Sequence, residues 1–233
     1  MKTIAICNQK GGVGKTTVTL GLASAAAKHG VRTLVIDMDS QGNATDALLG
    51  ENAEEVQLTA YDVLRGKRGC APAAVTASPW GVGVIAGTLD LAGYERTSAL
   101  ASEQRLRAGM DSAEMRASWD LCLIDCPPSL GLLVQAALVA ADEVLIVTEP
   151  SLSASQGVAK VYDTVGTIQE HYRPELKLSG VVINRVPGTK EAKLRMEELV
   201  EALGDVVWEP AMRQRAALVE GVRRAPDAAP FWT

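Results

Sequence analysis

The sequence predicts an α/β fold in which a mostly parallel, twisted sheet carries helices on both faces. Short apolar runs alternate along the chain with segments of helical spacing, which is the pattern of repeated βαβ units. Hydrophobic residues make up 47% of the 233 residues but aromatic residues only 4%, so the core must consist of Val, Leu, Ile and Ala, as in parallel sheets. No Pro/Gly/Ser-rich linker interrupts the alternation, and we therefore predict a single domain over residues 1–233.

The amino-terminal half alternates predicted strands with predicted helices. Short apolar runs, as in "TIAIC" and "RTLVID", predict buried strands at 3–7, 32–37 and 81–87. Apolar residues at helical spacing predict helices at 15–28, 58–66 and 90–115. Gly30 and Gly66 follow the first two of these helices, where a glycine commonly ends a helix.

The carboxyl-terminal half continues the same alternation. Apolar runs such as "DLCLID" and "EVLIVTEP" predict strands at 120–125, 143–150 and 178–185. Helical spacing predicts helices at 130–141, 154–171, 191–203 and 212–223. The last residues, 225–233, contain two prolines and are expected to form a loosely ordered tail.

Composition narrows the cellular setting. The four cysteines form no CxxC pair, which disfavours a zinc site and suggests reduced thiols in a cytoplasmic protein. The start of the chain lacks the pattern of a signal peptide, and no apolar run approaches the ~20 residues that span a bilayer, so we expect no membrane partner. The formal net charge is -5, so any contact with nucleic acid must come from a local patch.

The stretch "KGGVGKTT" at residues 10–17 predicts a phosphate-binding loop of the P-loop NTPase type. It lies between a predicted strand and a predicted helix, where glycines let backbone N–H groups approach phosphate oxygens and the helix dipole favours an anion. We expect Lys15 to reach the β- and γ-phosphates of ATP and the Thr16 hydroxyl to ligate Mg²⁺. The predicted nucleotide-binding residues here are Gly11, Gly12, Val13, Gly14, Lys15, Thr16 and Thr17.

Three aspartates at predicted strand ends are candidate groups for holding the metal. Asp125 ends an apolar strand in "LCLIDCPPS", as a Walker B aspartate does, and is expected to support Mg²⁺. Asp37 and Asp39 in "VIDMDSQGN" could orient the attacking water and help to hold Mg²⁺. Asx-turn chemistry in "DSQGN" is an alternative role for them, and the two roles are compatible because a switch loop is also a turn.

These motifs together resemble the ParA/MinD family of deviant Walker A ATPases. "KGGVGKTT", "DMDSQGNAT" and "DCPPSLG" occur in the family's order, and "QGNAT" and "CPPSLG" resemble its ParA (Soj-like) branch. The resemblance implies a homodimer with two ATP molecules between its subunits, in which Lys10 reaches the partner's phosphates. It further implies that Asp39 positions the attacking water, and that Asn184 and Pro210 contact the adenine.

The same resemblance implies what the ATPase serves. ParA proteins bind DNA non-specifically as ATP dimers, and a ParB-like or other adaptor stimulates hydrolysis, so that plasmids, chromosomes or other nucleoid-carried cargo are segregated or positioned. Residues 185–224 carry eight basic and seven acidic residues, a bias toward positive charge that ordinary solvated helix faces would also explain. The candidate DNA-binding residues are Arg185, Lys190, Lys193, Arg213 and Arg215.

Three other functions of the same fold remain open from the sequence. A MinD-like membrane-cycling ATPase would need a basic amphipathic carboxyl-terminal helix, which "APDAAPFWT" does not resemble. An iron–sulfur carrier would need cysteines at the dimer interface, where Cys122 and Cys126 flank Asp125. A metabolic ATP-dependent ligase would need a small-molecule pocket. The run "WEPAMRQRAAL" replaces the family's usual "IPRN", which leaves the DNA contacts open.

Overall fold

A computed structural model describes residues 1–96 and 100–214. Within them, one sheet has the strand order β3-β4-β2-β5-β1-β6-β7, and every neighbouring pair is parallel except the antiparallel pair β3–β4. The strands are β1 (Lys2–Cys7), β2 (Thr33–Asp37), β3 (Val75–Ala77), β4 (Gly83–Ile85), β5 (Leu121–Asp125), β6 (Glu143–Thr148) and β7 (Lys177–Ile183). The predicted fold class is confirmed.

Helices cover both faces of this sheet. They are α1 (Lys15–Lys28), α2 (Asn43–Leu49), α3 (Ala60–Arg65), α4 (Leu91–Tyr94), α5 (Arg105–Met110), α6 (Ala113–Ser118), α7 (Leu132–Ala140), α8 (Ala154–His171) and α9 (Lys190–Leu203). Ala5 and Cys7 of β1 pack in one hydrophobic cluster with α7 and α8, whereas Ile6 packs in a second cluster with α1 and α2. This alternation shows that the two clusters lie on opposite faces of the strand. None of these helices is both long enough and apolar enough to cross a membrane.

The structure corrects several predicted elements. In the described part of 90–115, the expected long helix is replaced by the short helices α4 to α6. Ala101 adopts a positive φ of 56°, and Ser112 caps a new helix by accepting a hydrogen bond from the Met115 N–H. Strand β3 and helix α2 were not predicted. The helix expected at 212–223 does not begin at Met212, since residues 212–214 run alongside Val186 in extended form. Its remaining residues, and the 225–233 tail, lie outside the described residues.

The strand order brings the predicted motifs to one edge. Strand β1 is central, with β5 on one side and β6 on the other, so the chain leaves β1 at the point where the strand order reverses. The carboxyl ends of parallel strands flanking such a point form the usual ligand crevice of open α/β sheets. Asp37 and Asp125 lie directly opposite each other across the β2–β5 pair, and Ile6, just before the phosphate-binding loop, is the partner of Asp125 in β1.

Candidate active site

The loop between β1 and α1 has the backbone of a phosphate-binding loop. Gly12 and Gly14 have φ values of 79° and 90°, which side chains other than glycine rarely adopt. Lys15 opens α1, is only 7% exposed, and lies with its Nζ atom 3.5 Å from the Lys10 carbonyl oxygen. The first N–H groups of α1 have no carbonyl partner within the helix, as at every helix start. The loop therefore combines backbone donors with a nearly buried cation, which is what an anionic phosphate group requires.

Asn8 fixes the start of this loop, a role that was not predicted from the sequence. Its side chain is 1% exposed; the Nδ2 group donates to the Val147 carbonyl (2.7 Å), and Oδ1 accepts from the Lys10 N–H (3.1 Å). A Cβ atom at Gly157 of α8 would lie 3.4 Å from Asn8 Oδ1, so α8 closes the site behind it. The available signal was a polar residue placed directly after an apolar strand and before a glycine loop.

Asp125, assigned from the sequence as a Walker B aspartate, contacts the start of α1. Its Oδ2 atom accepts from the Thr16 hydroxyl (2.7 Å) and its Oδ1 atom from the Thr19 hydroxyl (2.9 Å). Burial raises the pKa of Asp125, and the nearby charge of Asp37 raises it further, while the two hydroxyl donors lower it. Thr19, which is fully buried, is a contributor that was not predicted.

This donor set fits Mg²⁺. The Thr16 hydroxyl and the Asp125 carboxylate are oxygen ligands of the kind that Mg²⁺ prefers, and they come from two elements that converge beside the phosphate-binding loop. Two carboxylates with raised pKa values, buried on adjacent strands, also form a site where a divalent cation would offset unfavourable burial of negative charge. The residues that would hold the ion are Thr16 and Asp125.

Asp37 and Asp39 lie together but occupy different environments. Asp37 is fully buried, and its carboxylate accepts from the Asp39 N–H (3.0 Å), the Thr45 N–H (2.9 Å) and the Thr45 hydroxyl (2.8 Å). Asp39 is half-buried and accepts from the Gln41 N–H (3.0 Å) through Oδ1, which is an Asx turn. Its Oδ2 atom accepts no hydrogen bond from residues 1–96 or 100–214. Asp37 thus shapes the loop, and Asp39 retains an available carboxylate oxygen.

The two lysines of "KGGVGKTT" lie in different surroundings. Lys15 is buried against the loop, whereas the Lys10 side chain is 42% exposed. The Lys10 Nζ atom lies 2.5 Å from Glu149 Oε1 and 3.5 Å from Ser151 Oγ, both just beyond strand β6. Lys10 therefore contacts the rim of the site, where a second molecule could meet it, and Lys15 occupies the interior.

Asn184, predicted to contact the adenine, packs against the back of the phosphate-binding loop. It is 3% exposed, donates from Nδ2 to the Val13 carbonyl (2.9 Å), and accepts from the Arg185 N–H (2.8 Å). Arg185 has a φ of 53°, and its guanidinium donates to the Gly12 carbonyl. Both residues directly follow β7 and therefore support the loop from the end of that strand, and Arg185, one of the predicted DNA-binding residues, makes its contact there.

The remaining predicted residues surround two cavities at Pro210. An apolar cavity of about 290 Å³ lies between α1 and residues 208–212, with Val18, Leu22 and Pro210 in its wall. A second cavity of about 710 Å³ is lined by Pro210 and by three of the predicted DNA-binding residues, Lys190, Lys193 and Arg213. The structure thus brings these three cations together. Arg215 lies outside the described residues.

Comparisons with known proteins show what the chain is similar to. Residues 1–178 match the family profile AAA_31, described as an AAA domain. The chain is 34% identical to the sporulation initiation inhibitor protein Soj of Bacillus subtilis, over 94% of this chain and 87% of Soj. It is 33% identical to the chromosome partitioning protein ParA of Caulobacter vibrioides, over 94% and 83%.

A solved structure shows a similar fold with a nucleotide bound. Cobyrinic acid a,c-diamide synthase from Mycobacterium smegmatis, with bound ADP and magnesium, superimposes with a TM-score of 0.82. The two sequences are 28% identical, and the match covers 98% of this chain and 93% of the synthase.

Proposed function

Because the chain belongs to the ParA (Soj-like) branch of the ParA/MinD deviant Walker A ATPases, we propose that it is a DNA-positioning ATPase. It binds ATP and Mg²⁺, forms an ATP-sandwich homodimer, binds DNA non-specifically, and hydrolyses ATP when a ParB-like or other adaptor stimulates it. The observation that carries the homodimer in this proposal is the separation of the two loop lysines, one buried beside its own loop and one exposed at the rim. DNA binding is supported by the cavity that Lys190, Lys193 and Arg213 line.

Within one subunit, different residues serve the phosphates, the metal ion and the attacking water. Lys15 and the backbone of residues 11–17 bind the phosphates, and Thr16 with Asp125 would hold the metal ion. When bound, Mg²⁺ supplies charge neutralisation on the β- and γ-phosphates. Asp39 orients the attacking water through its available Oδ2 atom, while Asp37 keeps the loop in place through Thr45.

Lys10 acts on the partner subunit. Within its own chain Lys10 pairs with Glu149, and this exposed ion pair contributes little to stability. This ion pair can therefore be replaced, at little cost in free energy, by a contact between Lys10 and the partner's phosphates. A cation supplied from a second subunit stabilises the charge of phosphoryl transfer in the way an arginine finger does.

The first expected result concerns Asp39. Asp39→Ala should accumulate the ATP dimer and stop hydrolysis, because the water loses its orienting group while Lys10 and Lys15 remain. The fold should change little, since Thr45 is bound by Asp37. Light scattering after gel filtration with ATP, and phosphate release, measure the two effects. Asp46→Ala, an exposed aspartate in α2, is the matched control. Wild-type turnover in Asp39→Ala would contradict the assigned role.

The second expected result concerns DNA. The double charge reversal Lys190→Glu/Arg213→Glu should weaken ATP-dependent binding of non-specific duplex DNA, because both residues line the same basic cavity. For each phosphate that the variant no longer neutralises, the slope of log affinity against log salt should become shallower by about 0.9. Fluorescence anisotropy at several salt concentrations measures both quantities. Lys160→Glu, an exposed lysine in α8, is the control. An unchanged affinity and slope in the double variant would exclude this surface.

A metabolic ATPase is the second candidate, because the similar synthase from M. smegmatis matches nearly the whole chain at 28% identity. The two functions differ in the ligand on which the rate of ATP turnover depends. A DNA-positioning ATPase should be slow alone and faster with DNA and its adaptor. ATP consumption that depends on an added carboxylic acid together with an amine donor, with no response to DNA, would favour ATP-dependent amide formation instead.

A further inference from the structure

A polar cavity of about 440 Å³ opens at the amino-terminal edge of the sheet, beside the first residues of β1. The phosphate-binding loop follows the other end of β1, so the six residues of this strand place the two sites roughly 20 Å apart on opposite edges of the sheet. We call it the arginine cavity, because Arg68, Arg107 and Arg116 line it. The three residues come from separate segments: the loop after α3, helix α5 and helix α6.

Two of these arginines share one carboxylate. Arg68 and Arg116 each pair with Asp111, and the Arg116 Nη1 atom lies 2.8 Å from Asp111 Oδ1. Asp111 is itself part of the cavity wall, and its two pairs hold the loop after α3 against the start of α6. A shared carboxylate shows that the two guanidiniums lie close enough to be bridged by a single anionic group.

The third arginine leaves positive charge in excess. Arg107 lines the same cavity and has no ion-pair partner among residues 1–96 and 100–214. Three guanidiniums therefore face one carboxylate in a concave site, in a chain whose formal net charge is -5. The two ion pairs of Asp111 give Arg68 and Arg116 a structural role, because they hold the start of α6 in place. No such role explains Arg107 or the cavity.

We propose that the arginine cavity binds a small phosphorylated anion, separately from the ATP site. Guanidinium groups bind phosphate oxygens in a bidentate manner, and a cluster of arginines is the usual protein surface for phosphate recognition. The cavity volume lies within the range of small-molecule sites. In the free protein Asp111 acts as an internal counter-ion between Arg68 and Arg116, so a ligand with several phosphate oxygens would engage Arg107 first and compete with Asp111.

The experiment is a calorimetric titration with inorganic pyrophosphate, with ADP kept saturating so that the phosphate-binding loop is occupied, and without Mg²⁺, because that ion would itself bind pyrophosphate. The wild-type protein should bind about one equivalent with a Kd below about 1 mM. Arg107→Ala should bind at least about tenfold more weakly, since a charge-assisted hydrogen bond is removed. Arg105→Ala removes the same charge from the same helix but does not line the cavity, and it should bind as wild type does.

A second variant tests the internal counter-ion. Asp111→Asn should bind pyrophosphate about tenfold more tightly, because the competing negative charge is removed. The proposal is overturned if the wild type shows no binding, if Arg107→Ala and Arg105→Ala behave alike, or if only duplex DNA and not pyrophosphate distinguishes the two variants. The readout is the difference between Arg107→Ala and Arg105→Ala, which pyrophosphate bound in the phosphate-binding loop would not produce, so its outcome is independent of the function proposed above.

Discussion

Lys10→Ala is expected to abolish the ATP-dependent dimer while leaving nucleotide binding by the single chain intact. Lys15 is the lysine buried beside its own loop, and Lys10 lies at the rim with its Nζ atom on Glu149, so removal of Lys10 leaves the intrachain phosphate site complete. Hydrolysis should fall by at least about a thousandfold if the lysine acts as cations supplied from a second subunit do. Light scattering with ATP, and binding of a fluorescent ATP analogue, separate dimerisation from nucleotide binding.

Glu149→Gln is the matched companion to Lys10→Ala. It removes the intrachain partner of Lys10 but keeps the lysine, so it should dimerise on ATP at least as readily as the wild type. Loss of dimerisation in both variants would mean that the pair itself builds the interface. Normal ATP-dependent dimerisation of Lys10→Ala would show that Lys10 has no role in the partner's site, and the proposed division between the two lysines would fail.

The parts of the site that follow directly from a strand end could be predicted from the sequence. Asp125 and Thr16 are 109 residues apart in sequence, yet their side chains lie 2.7 Å apart, because β5 and β1 are adjacent parallel strands whose carboxyl ends share one edge. Their assignment to one metal site was made from the sequence and stays a prediction. The helix at 15–28 and the helix at 154–171 were also predicted with their observed bounds. In these segments the spacing of the apolar residues and the flanking turn residues predict the same helix bounds.

Other parts could not be predicted, because they depend on contacts between distant segments. Asn8 holds the loop through a carbonyl of β6 that lies 139 residues away, and its position between a strand and a glycine loop does not by itself identify that partner. Helix α2 begins after Gly42, which has a φ of 66°, so the same turn residues that suggested a loop in fact start a helix. Thr45 in that helix then binds Asp37. The surroundings of Asp37 thus follow from tertiary structure and not from the "DSQGN" pattern.

The phosphate-binding loop itself shows how local pattern and tertiary contact combine. From the sequence, the glycines at 11, 12 and 14 are explained by the close approach of the backbone to the phosphates. The structure adds a second reason at Gly14: an added Cβ atom there would lie 2.2 Å from Asn184 Nδ2, whereas one at Gly12 would meet no atom within 4 Å. At Gly12 a glycine is thus needed for the backbone conformation. At Gly14 it is needed both for the conformation and for the packing against Asn184.

Gly14→Ala is therefore expected to destabilise the nucleotide-free protein much more than Gly12→Ala does. Both changes force a side chain into a positive-φ conformation, at a cost of roughly 1–2 kcal/mol. Gly14→Ala must in addition displace Asn184 from the Val13 carbonyl, and breaking this buried hydrogen bond costs roughly a further 1–3 kcal/mol. Chemical denaturation without nucleotide measures both free energies of unfolding.

The double variant Gly14→Ala/Asn184→Ala isolates the packing contribution. Truncation of Asn184 removes the atoms that clash with the new Cβ, so the double variant should be more stable than the sum of the two single changes predicts. Strict additivity, or equal destabilisation by Gly12→Ala and Gly14→Ala, would show that backbone conformation alone requires the glycines. A positive coupling would establish that β7, through Asn184, sets the shape of the loop before any nucleotide binds.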